Sequence, residues 1–354
     1  MRIAVFGATG YGGIETLKLL VHRKDVEVVW IGSDKQEGKK LVDVIPMFRN
    51  TRYASLGFSS QQGELPDVDF ALLATPHGFA RSIVPNLLEH RVRVIDFSGD
   101  YRLPDKVYEK WYNKAVTSDS NNSNAVYGLP ELNREVIKEA NLIANPGCYA
   151  TTANLALMPA VEMDLVDVEH LVVDAKSGVS GAGRNPQLTT HFVEVSESYK
   201  AYKVGAHQHT PEIEQTLQEA RRRRRWGESV EQHEQVRILM TTQLLPIKRG
   251  IYVTAYGQLK KSMSASEVFE IYQERYANEP FVTVLPLGEV PEIRQISGTN
   301  QCHLSVHVDD RTETLLVMAT LDNLLKGAAG QAIQNLNLMS GTEEATGLSG
   351  MAWW

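Results

Sequence analysis

Apolar and polar positions change their rhythm along this chain. In the first third, short apolar runs at 2–7, 26–31, 70–74, 93–97 and 142–144 alternate with stretches of helical spacing, such as Ile14, Leu17, Leu19, Leu20 and Val21, and the segment 79–89. The runs are too uniformly apolar to leave one face in water, which predicts strands of a parallel sheet covered on both sides. Strand and helix in alternation predict a doubly wound, Rossmann-like α/β domain. From about 169 to 322 the strand patterns lengthen, at 236–244, 251–259, and 302–308 joined to 314–319 through Asp309-Asp310-Arg311. These predict an antiparallel or mixed sheet in a second, α+β domain that also offers a subunit interface. A helical pattern over 324–338 brings the chain back, so the expected division is 1–147 with 324–354, and 148–323. The apolar tail Met351-Ala352-Trp353-Trp354 is expected to pack against the first domain, and Cys302 to lie in the core.

In a doubly wound sheet, ligands bind in the loops at the carboxyl ends of the strands. Here these are 32–40, Thr75-Pro76-His77-Gly78, Ser98-Gly99-Asp100 and the turn Asn145-Pro146-Gly147-Cys148. The first strand runs into Gly7-Ala8-Thr9-Gly10-Tyr11-Gly12-Gly13 and then a helix, a GxxGxxG variant of the dinucleotide fingerprint whose glycines allow a tight turn and close approach to a pyrophosphate. The bare alternative is a plain βα turn, and the position at the start of the alternation favours the cofactor. Asp34, roughly 20 residues on, suits the ribose hydroxyl of NAD. Ser33, Lys35, Lys39 and Lys40 instead suit the 2′-phosphate of NADP, and charge count favours NADP.

Cys148 follows a strand and a Pro-Gly turn and opens a helical stretch, 149–163. At a helix N-terminus, unpaired N–H groups stabilise a thiolate, so a nucleophile stands against the alternative of a small buried core residue. His207 and His209 precede a second helix, with Thr210 as its cap and Pro211 at its first position, and could supply a base. Metal is disfavoured because no third ligand has suitable spacing. His77 reads as a wall of the site. The loop Ser177-Gly178-Val179-Ser180-Gly181-Ala182-Gly183-Arg184 combines backbone N–H groups, hydroxyls and a guanidinium suited to an anion, or is a linker.

Composition narrows the classes. At 354 residues, 43% hydrophobic and 22% charged, the chain can bury two cores. A net charge of -7 offers no global attraction to nucleic acid or an anionic membrane, and no apolar run reaches membrane length. With two cysteines and no signal-like N-terminus, a reducing, cytoplasmic setting is expected. The run 221–225 of arginines reads as a solvated helix end, since no aromatics interleave it.

Four blocks, GATGYGG from Gly7, Asn145 to Thr151, SGVSGAGR from Ser177 and HQHTPEIEQ from His207, together with 96–103, 127–133 and 322–329, closely resemble the N-acetyl-γ-glutamyl-phosphate reductases of arginine biosynthesis. The resemblance spans essentially the whole chain. It implies the fold of glyceraldehyde-phosphate and aspartate-semialdehyde dehydrogenases, in a homo-oligomer (dimer or tetramer), and NADPH-dependent reduction of an acyl phosphate to an aldehyde. It places the nucleophile on Cys148, the acid/base role on His209, and His207 beside substrate. It assigns the cofactor to Gly7, Thr9, Gly10, Tyr11, Gly12, Gly13, Ser33, Lys35, Lys39, Thr75, Pro76, His77, Ser177, Gly178 and Asn323. Substrate falls to Arg102, Asn145, Ser180, Arg184 and His207. The family commonly shows Ser-Arg where this chain has Ser33-Asp34-Lys35. Rival readings are a carrier-linked aminoadipyl-phosphate reductase of lysine biosynthesis, an aspartate-semialdehyde dehydrogenase, and a nucleotide-sensing protein of the same fold without the reaction.

Overall fold

The computed structural model describes residues 1–116, 120–224 and 234–352. The chain divides into two compact units, 1–147 with 328–349, and 148–327 with the residues from Gly350 on. The return crossing thus lies a few residues beyond the position the sequence suggested.

The first unit holds a seven-stranded sheet in the order β3-β2-β1-β4-β5-β7-β6. Its strands are β1 (Arg2–Phe6), β2 (Glu27–Gly32), β3 (Phe58–Ser59), β4 (Phe70–Leu73), β5 (Arg93–Asp96), β6 (Val126–Tyr127) and β7 (Leu142–Ala144). All pairings are parallel. The helices are α1 (Tyr11–Leu20), α2 (Leu41–Val44), α3 (Ala80–Glu89), α4 (Asp105–Tyr112) and α5 (Pro130–Glu139). On β1, Ala4 and Phe6 join a core cluster with Trp30, Leu73, Val84 and Leu87. Ile3 and Val5, which face the other way, are equally inaccessible, so the sheet is covered on both faces as its uniform apolarity requires.

The second unit holds a mixed sheet, β12-β13-β14-β11-β8-β10-β9. The strands are β8 (Leu171–Gly178), β9 (Lys200–Tyr202), β10 (Ile238–Leu245), β11 (Ile251–Gln258), β12 (Val282–Val284), β13 (Cys302–Asp309) and β14 (Thr314–Leu321). Two pairs, β8 with β10 and β12 with β13, are parallel, and the rest are antiparallel. Here burial alternates along the strands, which gives one core face and one more accessible face. Its helices are α6 (Cys148–Glu162), α7 (Phe192–Val195), α8 (Thr210–Arg224), α9 (Ala265–Tyr276) and α10 (Ile293–Ile296).

Helix α6 is buried along its whole length from Tyr149 to Glu162, and it contains Pro159. A proline lacks the N–H that would bond the carbonyl four residues back, here that of Leu155. The Tyr276 hydroxyl of α9 donates to that carbonyl at 2.6 Å, and the Tyr272 hydroxyl to the next, Ala156, at 2.7 Å. Two tyrosines thereby let an interior helix carry a proline without stranding a carbonyl. The chain then rejoins the first unit as α11 (Gly330–Met339).

Three expectations change. The pattern over 324–338 is not one regular helix, because a single wide π turn, Leu325–Ala329, precedes α11. Thr210 is the first helical residue rather than the cap, and its hydroxyl is directed to the Met240 sulfur. Arg221 is not a solvated helix-end residue. It is 2% exposed and ion-paired with Asp164 and Glu234, whereas Arg222 and Arg223 are exposed. Arg225 lies outside the described residues. For the tail, Gly350 clusters with the second unit and Met351 is 89% exposed, and the expectation for Trp353 and Trp354 lies outside the described residues. No helix among the described residues is long and apolar enough to cross a membrane.

Candidate functional site

In the first unit the glycine turn is shaped by lack of space. Gly7 has φ +66, and a Cβ there would stand 2.2 Å from the Ala74 carbonyl oxygen; one on Gly13 would stand 2.5 Å from that of Gly7. No side chain caps α1 at Gly10, so the first N–H groups of the helix face the turn without a competing protein acceptor from the cap residue. Thr9 and Ser33 hydroxyls meet at 3.1 Å. The Thr75 hydroxyl, at the end of β4, is buried with no hydrogen-bond partner. A side-chain-free cradle, a helix N-terminus and an orphaned hydroxyl fit a dinucleotide pyrophosphate and its neighbouring groups.

The acid that suggested NAD is committed elsewhere. Asp34 stands two residues beyond β2 and accepts from the Gln61 N–H at 2.7 Å and the Ser60 hydroxyl at 3.1 Å. The Gln61 backbone bond, first among several, holds its carboxyl below the ordinary value. Gln61 in turn accepts from the Gly7 N–H at 2.9 Å, so the acid braces the wall of the glycine turn. Ser33, buried, occupies the position directly after the strand, and Lys35 is exposed beside it. Lys39 donates to Gln36 at 3.0 Å.

The loop after β4 is tied down by a buried acid. Asp100 accepts from the Gly78 N–H at 2.7 Å, the Ala80 N–H at 3.1 Å and the Tyr108 hydroxyl at 2.8 Å. The Gly99 N–H donates to His77 Nδ1 at 2.8 Å, which places a neutral His77 proton on Nε2. Asp96, fully buried, is pushed up to about 7, first by burial and then by the charge of Asp100. Arg102 is 6% exposed and donates from Nε to the Asn145 carbonyl at 2.8 Å and from Nη2 to that of Phe97 at 2.7 Å. Asn145, expected at substrate, spends its amide on the fold. Its Nδ2 donates to the Ala328 carbonyl and its Oδ1 accepts from Asn335, both at 3.1 Å.

In the second unit Cys148 is the first residue of α6 and is partly accessible, whereas Cys302 is buried on β13. Tyr149 follows it and packs edge-on against His207 at 5.3 Å and His209 at 6.1 Å between ring centroids. The two imidazoles are 4.7 Å apart, and Tyr202 of β9 closes on His207 at 5.9 Å. Tyr149 and Tyr202 share a hydrogen bond of 2.9 Å between their hydroxyls. Burial, followed by that neighbour, raises the Tyr149 phenol far above its ordinary range, so it serves as a neutral hydrogen-bonding group.

The histidines are distinguishable. The His209 N–H donates to His207 Nδ1 at 3.2 Å, which leaves a neutral His207 with its proton on Nε2. Burial, then the charges of His209 and Lys203, push His207 down to about 2, against the opposing influence of Glu212. His207 is therefore a neutral donor across the ordinary pH range. His209 immediately precedes α8, whose fourth residue, Ile213, donates to its carbonyl at 2.9 Å.

The glycine- and serine-rich loop splits in two. Its first half is fixed: Gly178, Val179 and Ser180 N–H groups donate to the carbonyls of Gly250, Ile247 and Lys248. Gly178 has no room for a Cβ, and Ser177 is 2% exposed. The Asn323 Nδ2 donates to the Ser180 hydroxyl at 2.9 Å, and its Oδ1 accepts from the Gly250 N–H at 2.8 Å. The second half, from Gly181 through Arg184, is exposed. Among the described residues no group of three or more His, Cys, Asp or Glu could hold a metal ion.

Sequence reasoning missed Tyr149, Tyr202 and Glu212. Tyr149 adjoins Cys148 and could have been weighed with it. Glu212 is completely buried in the first turn of α8. Tyr202 carried no signal, because a three-residue strand is too short to show a period.

The geometry has counterparts. Residues 2–140 match the family described as semialdehyde dehydrogenase, NAD binding domain, and 148–323 match semialdehyde dehydrogenase, dimerisation domain. The N-acetyl-gamma-glutamyl-phosphate reductase of Bacillus cereus (strain AH187) is 41% identical over 352 residues, covering 99% of each chain. That of Symbiobacterium thermophilum is 43% identical over 350 residues, covering 98% of this chain and 97% of its own. Among solved structures, aspartate semialdehyde dehydrogenase II of Vibrio cholerae superposes with a TM-score of 0.72 at 18% identity, over 96% of this chain and 98% of that one. Aspartate semialdehyde dehydrogenase of Candida albicans, solved with NADP, gives 0.68 at 15% identity over the same shares.

Proposed function

We infer, for a chain that belongs to the N-acetyl-gamma-glutamyl-phosphate reductases within the semialdehyde dehydrogenase family, that Cys148 is the nucleophile and His209 the proton carrier of an NADPH-dependent reaction. The reaction is the reduction of N-acetyl-gamma-glutamyl phosphate to the semialdehyde with release of phosphate, a step of arginine biosynthesis. The observation that carries the assignment is Cys148 at the start of α6, joined through Tyr149 to a histidine pair of which one member is a fixed neutral donor.

The Cys148 sulfur attacks the acyl carbon, and the bond from that carbon to the phosphate oxygen breaks with its electron pair, leaving a thioester and free phosphate. NADPH, when bound, supplies the hydride that reduces the thioester carbon. The resulting Cys148 thiohemiacetal breaks its C–S bond, returning the electron pair to sulfur and releasing the aldehyde. His209 takes the thiol proton at the start, gives it to the alkoxide left by hydride addition, and takes it back from the hydroxyl as the C–S bond breaks. His207, with Nε2–H outward from its bond to the His209 backbone, donates to a substrate oxygen. The α6 N-terminal N–H groups stabilise the thiolate and the developing oxyanion. Arg102, Ser180 and Arg184 are assigned to the anionic groups of substrate. Ser33 and Lys35 are assigned to the 2′-phosphate, a reading supported by the engagement of Asp34 with Ser60 and Gln61.

The test runs the reaction backward. N-acetylglutamate semialdehyde and phosphate, with NADP and NAD tried separately, are followed at the nicotinamide absorbance for wild type and Cys148→Ala. Phosphate-dependent reduction, faster with NADP and absent in the variant, is the expected result. Turnover that survives Cys148→Ala would remove the nucleophile assignment, and preference for NAD would remove the cofactor assignment.

The accessible face of the second sheet is proposed as the surface through which two copies associate. Register aligns Leu239, Val172, Tyr256 and Leu316 in one apolar row across β10, β8, β11 and β14. Leu239 is 60% exposed.

A further inference from the structure

Gly327 has a backbone that any residue could adopt, since it is absent from the positive-φ positions, yet it has no room for a side chain. A Cβ on it would stand 2.8 Å from the Cβ of Cys148, 3.2 Å from Leu321 Cδ1 and 3.3 Å from the Asp322 carbonyl oxygen. Non-bonded carbons are at their optimum near 3.5–4.0 Å, so the first of these contacts is a clash. We propose that Gly327 is a positioning residue for Cys148: the turn Asp322 to Gly327 is the wall against which the nucleophile rests, and its missing side chain sets where the sulfur sits. The proposal rests on the reading of Cys148 as the nucleophile.

Neither side of the contact can yield cheaply. Asp322 is fully buried, and its carboxylate accepts from the Leu324 N–H and the Gly298 N–H at 2.8 Å each and pairs with Arg249 at 3.2 Å. Its carbonyl accepts from the Leu325 and Gly327 N–H groups at 3.1 and 3.0 Å. Asn323 is held from both ends of its amide by Gly250 and Ser180. On the other side, Cys148 begins a helix buried along the rest of its length, so the backbone carrying the thiol cannot retreat. The atom met is Cβ itself, which no rotation about χ1 removes. A methyl at 327 must therefore displace the cysteine, and with it the sulfur's relation to the N–H groups at the head of α6.

The same turn that meets Cys148 through Gly327 reaches Ser180 through Asn323. It thus ties the nucleophile to the loop assigned to substrate, both within the second unit. A glycine kept only for packing would, when replaced, lower stability and leave thiol chemistry alone in the folded fraction. A positioning residue changes the chemistry.

The experiment is Gly327→Ala in the full chain, with thermal midpoint, kcat, KM for NADPH, and the rate of Cys148 alkylation by iodoacetamide from pH 6 to 9. The expected result is a kcat lowered about 10- to 100-fold, the range a misplacement approaching 1 Å brings. KM for NADPH should stay within about twofold of wild type, and the alkylation profile should shift to higher pH as the thiolate loses its N–H partners. A folded variant with the wild-type alkylation profile overturns the proposal, whatever its kcat. If Gly327→Ala does not fold, Leu321→Val with Gly327→Ala clears the Leu321 Cδ1 contact and leaves the Cys148 contact in place. Impaired turnover and a shifted profile are expected there too, and wild-type turnover overturns the proposal. Failure of the underlying reading looks different, because Cys148→Ala would then keep its activity.

Discussion

Burial moves the protons of Asp96 and His207 in opposite directions, and the two shifts make opposite demands on pH. Asp96 is raised from 3.8 to about 7, so its contribution to stability is complete below 3.8 and is lost as pH rises through 7. His207 is lowered from 6.5 to about 2, so its contribution is complete above 6.5 and is lost as pH falls toward 2. Asp96→Asn, measured against wild type by denaturant unfolding, should become progressively more favourable from pH 4 to 7. His207→Gln should become progressively more favourable from pH 6.5 down to 4. Each slope is on the order of 1 kcal/mol per pH unit. Slopes of the same sign would overturn the assignment whose predicted sign fails, and flat profiles would overturn both. Residue chemistry of this kind was partly legible in the sequence. The placement of Cys148 at a helix start and of the histidines ahead of another helix could be read from residue type and spacing. Asp34 pointed toward NAD against the charge count that favoured NADP, and its engagement with Ser60 and Gln61 could not be read because they belong to a segment with no signal of its own.

At the scale of elements, α6 shows what an interior helix requires of its neighbours. Pro159 removes one N–H, and Tyr276 from α9 replaces it at the Leu155 carbonyl. Tyr276→Phe should therefore cost about 1–3 kcal/mol, the penalty of a buried acceptor left without a donor. In a Pro159→Ala background the helix recovers its own N–H, so the same substitution should cost clearly less. Equal costs in the two backgrounds would show that Tyr276 acts through packing alone. The sequence displayed the longer strands and several helices, including the long strands of the second unit, but not the two- and three-residue strands β3, β6, β9 and β12. It could not display this pairing, since a proline in a helical pattern states a deficit without naming which distant tyrosine meets it. The π turn at Leu325–Ala329 was hidden for a related reason. Leu325, Lys326, Ala328 and Ala329 are good helix formers, and the widening is associated with Gly327 among them, its close approach to Cys148, and the side-chain bonds of Asp322 and Asn323.

At the scale of the molecule, the two sheets solve the problem of their faces differently. The first is inaccessible on both sides of β1 and completes itself within one chain. The second alternates along β8, β10, β11 and β14, which leaves Leu239, Val172, Tyr256 and Leu316 as a row on the less covered face. The longer strand patterns in the sequence already pointed to a second, antiparallel or mixed sheet, whereas its single accessible face appears only in the alternating burial of the strands. Which residues align across strands follows only from register, and register was not written in any local segment. A continuous apolar row of this kind is a characteristic contact surface, and the unit that bears it matches a family described as a dimerisation domain. Wild type at micromolar concentration should therefore sediment at no less than twice the chain mass of 39.5 kDa. Leu239→Glu places a charge on the most exposed member of the row, and its desolvation on association should shift the distribution toward the single chain while the thermal unfolding remains cooperative. A wild type that sediments as one chain would remove the proposed surface. A Leu239→Glu variant that keeps the wild-type mass would move the contact away from this row.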